Sequence, residues 1–312
     1  MKTIAAFFRL IRWPNLFFIA LTQSLFYFCI YQSLLIQRTT SHYLFYLLCL
    51  ASLFIAAAGY IINDYFDMHI DAVNKPSKVV VDKLVKRRWA IIWHIVFSGI
   101  GLLLSIYISF KIHNWIIAFA NLGCIVLLWF YSTRFKRKLL SGNIIIAAMT
   151  AWVIVVVYFF AGAGLPDIAA FQKQQFNFDI KKFYKLTILY AAFAFVVSLV
   201  REVIKDLEDM DGDARYNCKT MPVVWGVPPS KVFVAVWLIV CIASLSIIQL
   251  YAWQLGWWAI VLYCVVLIIL PLIYILKNLY DAKTTSDYHK LSVAVKAVMM
   301  FGILSMIFFI LF

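Results

Sequence analysis

Residues 43–71 read YLFYLLCLASLFIAAAGYIINDYFDMHID. The first 20 of them carry no charge and are long enough to cross a bilayer as a helix. The last nine place Asp64, Asp67 and Asp71 at positions i, i+3 and i+7, a spacing that projects all three carboxylates from one face of a helix. The stretch therefore predicts a transmembrane helix that leads into an acidic cluster at a membrane face.

A second acidic cluster lies far along the chain, where Arg201 to Asp213 reads REVIKDLEDMDGD. Asp206, Asp209 and Asp213 repeat the spacing of the first cluster. Like charges stacked in this way repel one another unless a cation lies among them. The duplication predicts that the two clusters form two halves of one site.

The composition makes these carboxylates informative. Apolar residues form 65% of the 312-residue chain, charged residues form 13%, and the mean hydropathy is +0.92. A soluble protein of this composition would lack the polar surface it needs, so we interpret the chain as a multi-pass membrane protein. Ten of the 14 acidic residues lie in the segments 64–82 and 202–213. Carboxylates near a membrane are costly and are retained mainly for function.

Apolar runs along the chain predict nine spans and an all-α fold. The run Val232–Leu276 is uncharged for 45 residues, about twice the hydrocarbon thickness as one helix, so it must fold back, most simply at Gln254-Leu255-Gly256. The first run is too long for a signal-peptide core. The other predicted spans are Trp13–Gln37, Tyr43–Ile62, Trp89–Phe110, Asn114–Thr133, Leu139–Pro166, Leu186–Val200 extended from Phe183 to Lys205, and Leu291–Phe312.

The distribution of basic residues predicts the orientation of these spans. With a cytoplasmic N-terminus, 22 of the 28 Lys and Arg residues lie on the cytoplasmic side, as the positive-inside rule requires. Both acidic clusters and the basic run RFKRK, Arg134 to Lys138, then share that face. We expect an integral protein of the inner or plasma membrane whose active site faces the cytoplasm, with no nucleic-acid partner.

Cysteine and histidine usage argues against a disulfide framework and against a zinc site. Five of the six cysteines lie in apolar spans, Cys218 alone lies in a loop, and no C-x-x-C pair occurs. The histidines lack ligand spacing, and His69 inside the first cluster is interpreted as a structural or hydrogen-bonding residue.

Two carboxylate clusters are suited to Mg²⁺, which prefers oxygen ligands and is usually held by one or two carboxylates together with phosphate oxygens. Facing clusters could hold a diphosphate between metal ions, with nearby Lys and Arg adding neutralisation. In an apolar, aromatic-rich interior the rest of such a substrate should be a hydrocarbon, and aromatic faces stabilise an allylic cation. The pattern predicts Mg²⁺-assisted ionisation of a prenyl diphosphate and transfer of the prenyl group to a lipid-soluble acceptor.

At these motifs the sequence resembles the UbiA-type intramembrane prenyltransferases. The similarity covers nearly the whole chain and includes IRWPN at 11–15, FYSTRFKR with LLSGN within 130–143, and KTMPV at 219–223. The resemblance implies nine transmembrane helices around a central cavity and two Asp-rich motifs that bind Mg²⁺ and prenyl diphosphate on the cytoplasmic side.

The resemblance also assigns individual residues. Metal binding is implied for Asn63, Asp64, Asp67, Asp71, Asp206, Asp209 and Asp213, with a catalytic role for Asp67, Asp71, Asp209 and Asp213. The resemblance implies that Tyr131 and Lys136 lie near the diphosphate, and substrate binding is also predicted for Asn15, Lys78 and Lys219.

Two classes of acceptor stay open. The second motif is most similar to the branch of digeranylgeranylglyceryl phosphate synthases, which transfer geranylgeranyl to geranylgeranylglyceryl phosphate. Homogentisate prenyltransferases come next, and hydroxybenzoate or naphthoate are further aromatic acceptors. The sequence departs from both branches at NKPSKVVVDK and at Asn217, where a glycine is usual. A surplus of cations in the cytoplasmic loops favours the anionic acceptor. Membrane topology and the donor diphosphate also account for these cations. They are Lys75, Lys78, Arg134, Lys136, Arg137 and Lys219.

Three other interpretations fit the sequence less well than a prenyltransferase. A transporter would carry ionisable residues in mid-span, where this chain has almost none. DGDAR at Asp211 to Arg215 matches part of the CDP-alcohol phosphotransferase signature, but no GxxxDxxxD follows. Purely structural acidic clusters would not be expected to duplicate their spacing.

Overall fold

The protein is described by a computed structural model that covers residues 2–35, 42–74, 80–82, 84–162 and 180–310. Within these ranges nine helices are long and apolar enough to cross a membrane, and no β-sheet occurs. The all-α, nine-span prediction is confirmed. In chain order the spans are Trp13–Leu34, Tyr43–Val73, Arg87–Ile112, Ile116–Thr133, Ser141–Ala161, Ile180–Arg215, Val227–Gln254, Trp258–Asp281 and Thr285–Ile310.

The helices that carry the acidic clusters are longer than the apolar runs that predicted them. The second-span helix runs over Tyr43–Asn74 and the sixth over Ile180–Arg215, so each cluster lies on added turns of a spanning helix. Apolarity ends where the side chains become polar, whereas backbone hydrogen bonding continues until a residue interrupts it. Pro76 follows the first of these helices, and Asn217 (φ 54°) follows the second.

The first span begins at a sharp change of direction. A short helix, Lys2–Leu10, ends just before Arg12, which takes a left-handed conformation (φ 51°), and Pro14 lies in the first turn of the span. Proline suits that turn because its missing N–H has no helical acceptor there. This start places Arg12 beside the second span. Further along, Phe26–Tyr31 is π-helical and Gln32–Leu34 is a 3₁₀ turn.

The predicted reversal in the long apolar run is confirmed. The seventh span ends at Gln254 and the eighth begins at Trp258. Gly256 lies between them with φ +76°, a conformation that glycine adopts without steric cost. The predicted end of the fifth span at Pro166, and most of the polar stretch that follows it, lie outside the described residues.

The chain divides into two compact units, Met1–Phe135 with Trp152–Ile188, and Lys136–Ala151 with Leu189–Phe312. The prediction of one domain over residues 1–312 stays a prediction. In the first unit, Met68 of the first acidic motif is buried with Val80, Val81 and Val85 and with Leu10 of the N-terminal helix. The segment that follows the motif therefore packs back against the motif's own helix.

In the second unit the sixth span is held by close helix packing. Val203, Ile204 and Leu207 are buried in the core of that unit. Gly302 of the ninth span approaches Phe193 of the sixth so closely that an added Cβ would collide with the Phe193 ring. Small residues allow such approach between membrane helices. The helix that carries the second acidic cluster is therefore fixed by its apolar face.

Candidate active site

The first acidic cluster is organised around a buried amide–carboxylate pair. Asn63 Nδ2 donates a 2.6 Å hydrogen bond to Asp67 Oδ2, one helical turn away, and Asp67 is only 3% exposed. The other amide atom, Asn63 Oδ1, is buried and has no hydrogen-bond partner in the described part of the chain. A buried carbonyl oxygen left in this state is costly, so the cluster offers an unused oxygen ligand beside a carboxylate.

Asp64 of the same cluster forms an ion pair that the sequence analysis did not predict. Arg12 Nη2 lies 2.6 Å from Asp64 Oδ1, and the guanidinium lies 5.3 Å from the ring centroid of Tyr60. Burial lowers the pKa of Arg12, but Asp64, Tyr60 and Asp67 together outweigh burial and raise that pKa above its ordinary value. Asp64 therefore has a cationic partner from another helix.

The other predicted residues of the first unit lie half-buried. They are Asn15, Asp71 and Tyr131. The backbone N–H of Asn15 donates to the carbonyl of Arg12 at 2.8 Å, which ties the start of the first span to the residue that holds Asp64. His69, interpreted from the sequence as a structural or hydrogen-bonding residue, is exposed. Lys78, predicted to bind substrate, lies outside the described residues.

In the second cluster, neutral donors hold the carboxylates. Asn143 Nδ2 donates to Asp206 Oδ2 at 2.7 Å, and Thr220 Oγ1 donates to the buried Asp213 at 3.2 Å. Asp209 is half-buried on the same helix. Both donors are uncharged, so these two hydrogen bonds orient the carboxylates without adding a positive charge.

The loop that follows this cluster is anchored by its backbone. The N–H of Cys218 donates to the Asp213 carbonyl at 2.9 Å, and the N–H of Lys219 donates to the Arg137 carbonyl at 2.9 Å. Asn217 takes the left-handed conformation (φ 54°), which asparagine tolerates better than most residues. The departure from a usual glycine at this position therefore preserves the turn. The side chain of Lys219 is exposed and that of Lys136 is half-buried.

The three partners that sequence reasoning did not assign lie in motifs it had already singled out. Arg12 belongs to IRWPN, Asn143 to LLSGN and Thr220 to KTMPV. Each motif contributes one polar side chain that binds an aspartate of a cluster. The motifs thus contained these residues, but their roles depend on contacts between residues up to 63 positions apart in the sequence.

The donor chemistry of both clusters fits Mg²⁺. All of the predicted ligands are carboxylate or amide oxygens, which a hard cation prefers. In the described ranges, no group of three or more Asp, Glu, His or Cys side chains converges as a ready metal cage. Mg²⁺ is typically held by one or two carboxylates, and substrate phosphates supply further oxygens. Clusters that do not form a closed cage, with the buried Asn63 Oδ1 beside one of them, are suited to this kind of binding.

Residues 25–304 match the UbiA prenyltransferase family, which is about nine-tenths of the chain. The chain belongs to this family. Membership confirms the predicted prenyltransferase and an integral, multi-pass membrane protein. The transporter and the phosphotransferase are therefore set aside for this UbiA member.

Three similar proteins illustrate the match. The digeranylgeranylglyceryl phosphate synthase of Thermococcus gammatolerans is 30% identical over 242 residues, covering 77% of this chain and 76% of the relative. The protein of that name from Thermococcus sibiricus is 30% identical over 173 residues, and the chain spans only 53% of its length. A solved UbiA homologue from Archaeoglobus fulgidus, bound to DMAPP and Mg²⁺, is 17% identical with a TM-score of 0.60, covering 96% and 98% of the two chains. At that identity the structural likeness establishes the fold.

Proposed function

We propose that this UbiA protein catalyses Mg²⁺-dependent transfer of a geranylgeranyl group from geranylgeranyl diphosphate to geranylgeranylglyceryl phosphate. The observation that carries the chemistry is the duplicated set of oxygen ligands, with Asp67 and Asp213 buried and held by hydrogen bonds. The relatives named digeranylgeranylglyceryl phosphate synthase support the acceptor, and the homologue bound to DMAPP and Mg²⁺ supports the cofactor.

In this proposal the residues divide into ligands and residues that hold them. Asn63, Asp67 and Asp71 would bind metal in the first cluster, and Asp206, Asp209 and Asp213 in the second. Asp64 is also a predicted metal ligand, and it would bind metal while it stays paired with Arg12. When bound, Mg²⁺ neutralises the diphosphate and makes it a better leaving group. Lys136 and Lys219, with Lys78, would add positive charge around the diphosphate.

The proposed reaction exchanges one carbon–oxygen bond for another. The bond between C1 of the allylic chain and the diphosphate oxygen breaks, and the electron pair leaves with diphosphate. A hydroxyl oxygen of the acceptor then bonds to C1 and loses its proton, which gives an ether. Aromatic side chains, 18% of the sequence, would stabilise the allylic cation and exclude water from it.

We propose that the clusters face the cytoplasm, because the predicted cytoplasmic segments hold 22 of the 28 basic residues. Reporter fusions at Lys83, Lys138, Arg215 and Lys283 should all report the cytoplasm, and a fusion after Phe312 should not. A cytoplasmic C-terminal reporter would contradict this arrangement.

The experiment that tests the function is an acceptor competition. Purified protein receives geranylgeranyl diphosphate and Mg²⁺ with geranylgeranylglyceryl phosphate, homogentisate, hydroxybenzoate and naphthoate together, and products are identified by mass. We expect the digeranylgeranyl ether, and none when Mg²⁺ is chelated. Prenylation of an aromatic ring without any ether would reject the acceptor and keep the prenyltransferase.

A further inference from the structure

His289, near the start of the ninth span, contacts the helix that carries the second acidic cluster. Its Nδ1 lies 3.0 Å from Oε1 of Glu208, the residue that precedes Asp209. The Glu208 side chain is only 7% exposed, whereas that of His289 is 54% exposed. An ionised carboxylate can only accept, so Nδ1 of His289 donates this hydrogen bond. The contact therefore ties the middle of the second cluster to a neighbouring helix.

The contact belongs to a regular antiparallel packing of the sixth and ninth spans. Tyr190 Oη lies 2.9 Å from Ser305 Oγ, and Gly302 approaches the Phe193 ring closely. Between these two contacts the sixth span advances three residues while the ninth recedes three. A further 15 residues along the sixth span, and 13 back along the ninth, lead to the glutamate–histidine contact. The packing of whole helices therefore places this pair.

The backbones on both sides of the contact are held in place. Leu207, Tyr288 and Leu291, the neighbours of the pair, are all buried in the core of the second unit. At the start of the ninth span, Thr284 Oγ1 accepts from the N–H of Asp287 at 3.2 Å, and Asp287 Oδ2 accepts from the N–H of Thr284 at 3.0 Å. This capping box satisfies two backbone donors of the first turn. The histidine is therefore presented by a well-formed helical turn.

Glu208 and Asp206 are held from opposite sides of the sixth helix. At about 100° per residue, the two side chains leave that helix about 160° apart. Asp206 accepts from Asn143 of the fifth span at 2.7 Å, and Glu208 accepts from His289 of the ninth. Together the two contacts oppose rotation of this turn about the helix axis. The ninth span therefore shares control over the direction of Asp209, which lies on the same turn.

We infer that His289 is a positioning residue for the second metal site, an inference that rests on the proposed function. Through Glu208 it sets the orientation of the turn that offers Asp206 and Asp209 to Mg²⁺. Residues that orient metal ligands without binding the metal commonly set the affinity for it. The Glu208 carboxylate, engaged by the ninth span, acts in helix packing and is distinct from the proposed metal ligands.

The test compares two replacements of similar size. His289→Asn places an amide nitrogen where the histidine Nδ1 lies, because both nitrogens are bonded to Cγ, whereas His289→Leu places a methyl group there. We expect His289→Leu to raise the Mg²⁺ concentration for half-maximal activity about 3- to 10-fold, the range of one net hydrogen bond, with kcat at saturating Mg²⁺ near wild type. His289→Asn should titrate as wild type does. Lys290→Leu, at the exposed neighbouring position, is the matched control and should not shift the titration.

The same two variants separate positioning from helix stability. Leucine favours a helix more than asparagine does. A role confined to helix stability would therefore make His289→Asn the weaker variant, the reverse of the expected order. A wild-type titration for His289→Leu, equal shifts for His289→Leu and His289→Asn, or an equal shift in Lys290→Leu would overturn the inference.

A measurement without substrate separates the inference from the proposed function. Amide hydrogen exchange of the metal-free protein is followed by mass spectrometry. His289→Leu should speed exchange across residues 206–215 about 3- to 10-fold and leave residues 64–74 unchanged, and His289→Asn should exchange as wild type does. Unchanged exchange over 206–215 in His289→Leu would overturn the inference whatever reaction the protein catalyses. Failure of wild type to form the ether would reject the proposed acceptor and would not alter the exchange result.

Discussion

The two acidic clusters have the same spacing and different surroundings. In the first, Asp64 is paired with the guanidinium of Arg12 at 2.6 Å, and Asp67 accepts from Asn63 of its own helix. In the second, Asp206 and Asp213 accept from neutral side chains that lie outside their helix. One carboxylate of the first cluster is thus paired with a cation, whereas two carboxylates of the second cluster are oriented by neutral donors.

This difference shows that equal spacing does not give equal electrostatics. A carboxylate that accepts from a neutral amide keeps its charge and its orientation, whereas one paired with arginine gives up part of its attraction for a metal ion. The second cluster should therefore depend more on its positioning partners for activity. The first should depend on Arg12 mainly for stability.

The largest expected effect is the loss of a proposed metal ligand in either cluster. Asp67→Asn and Asp209→Asn should each lower turnover by more than about 100-fold, beyond the range typical of residues that only position a metal ligand. Turnover is measured at saturating Mg²⁺ with purified protein, and melting confirms folding. Asp211→Asn, an exposed neighbour in the second cluster, is the control and should stay near wild type. Near-normal turnover in either test variant would show that the clusters do not work as a pair.

Next in size is the loss of Asn143, the partner of Asp206. Asn143→Ala removes the 2.7 Å hydrogen bond and frees the carboxylate to rotate, so activity should fall about 10- to 100-fold, as for other residues that orient metal ligands. The apparent Mg²⁺ affinity should weaken with it, as an Mg²⁺ titration of the activity would show. An unchanged titration curve would mean that Asp206 is not a ligand.

A smaller effect is expected at Thr220. Its hydrogen bond to Asp213 is 3.2 Å long, so Thr220→Val should cost about 1 kcal/mol, or a few-fold in kcat. Thr220→Ser keeps the hydroxyl and should retain activity, which separates the hydrogen bond from packing. If serine and valine behave alike, the hydroxyl has no role.

The smallest effect on activity should come from replacing Arg12, the cation paired with Asp64 of the first cluster. Because the ion pair is partly exposed, Arg12→Gln should lower the free energy of unfolding by about 1 kcal/mol, and the melting temperature in detergent with it. Arg9→Gln, exposed on the preceding helix, is the matched control and should melt as wild type does. A loss of activity larger than that of Asn143→Ala would reverse the proposed division between the clusters.

Much of the fold was predictable because membrane spans follow from local composition. Nine spans and the reversal near Gly256 came from uncharged runs longer than a bilayer requires. The helix ends were not predictable in the same way, since the second and sixth spans continue through polar residues until a turn stops them. Polarity marks the membrane boundary, and backbone hydrogen bonding marks the end of the helix.

At the site, the sequence by itself determined which aspartates could share a helix face and that oxygen ligands for a hard cation were present. Only the tertiary structure decided the partner of each carboxylate, with Arg12 on Asp64, Asn143 on Asp206 and Thr220 on Asp213. The physical reason is range: helical periodicity fixes neighbours three or four residues apart, whereas ion pairs and hydrogen bonds between distant segments depend on how the helices pack.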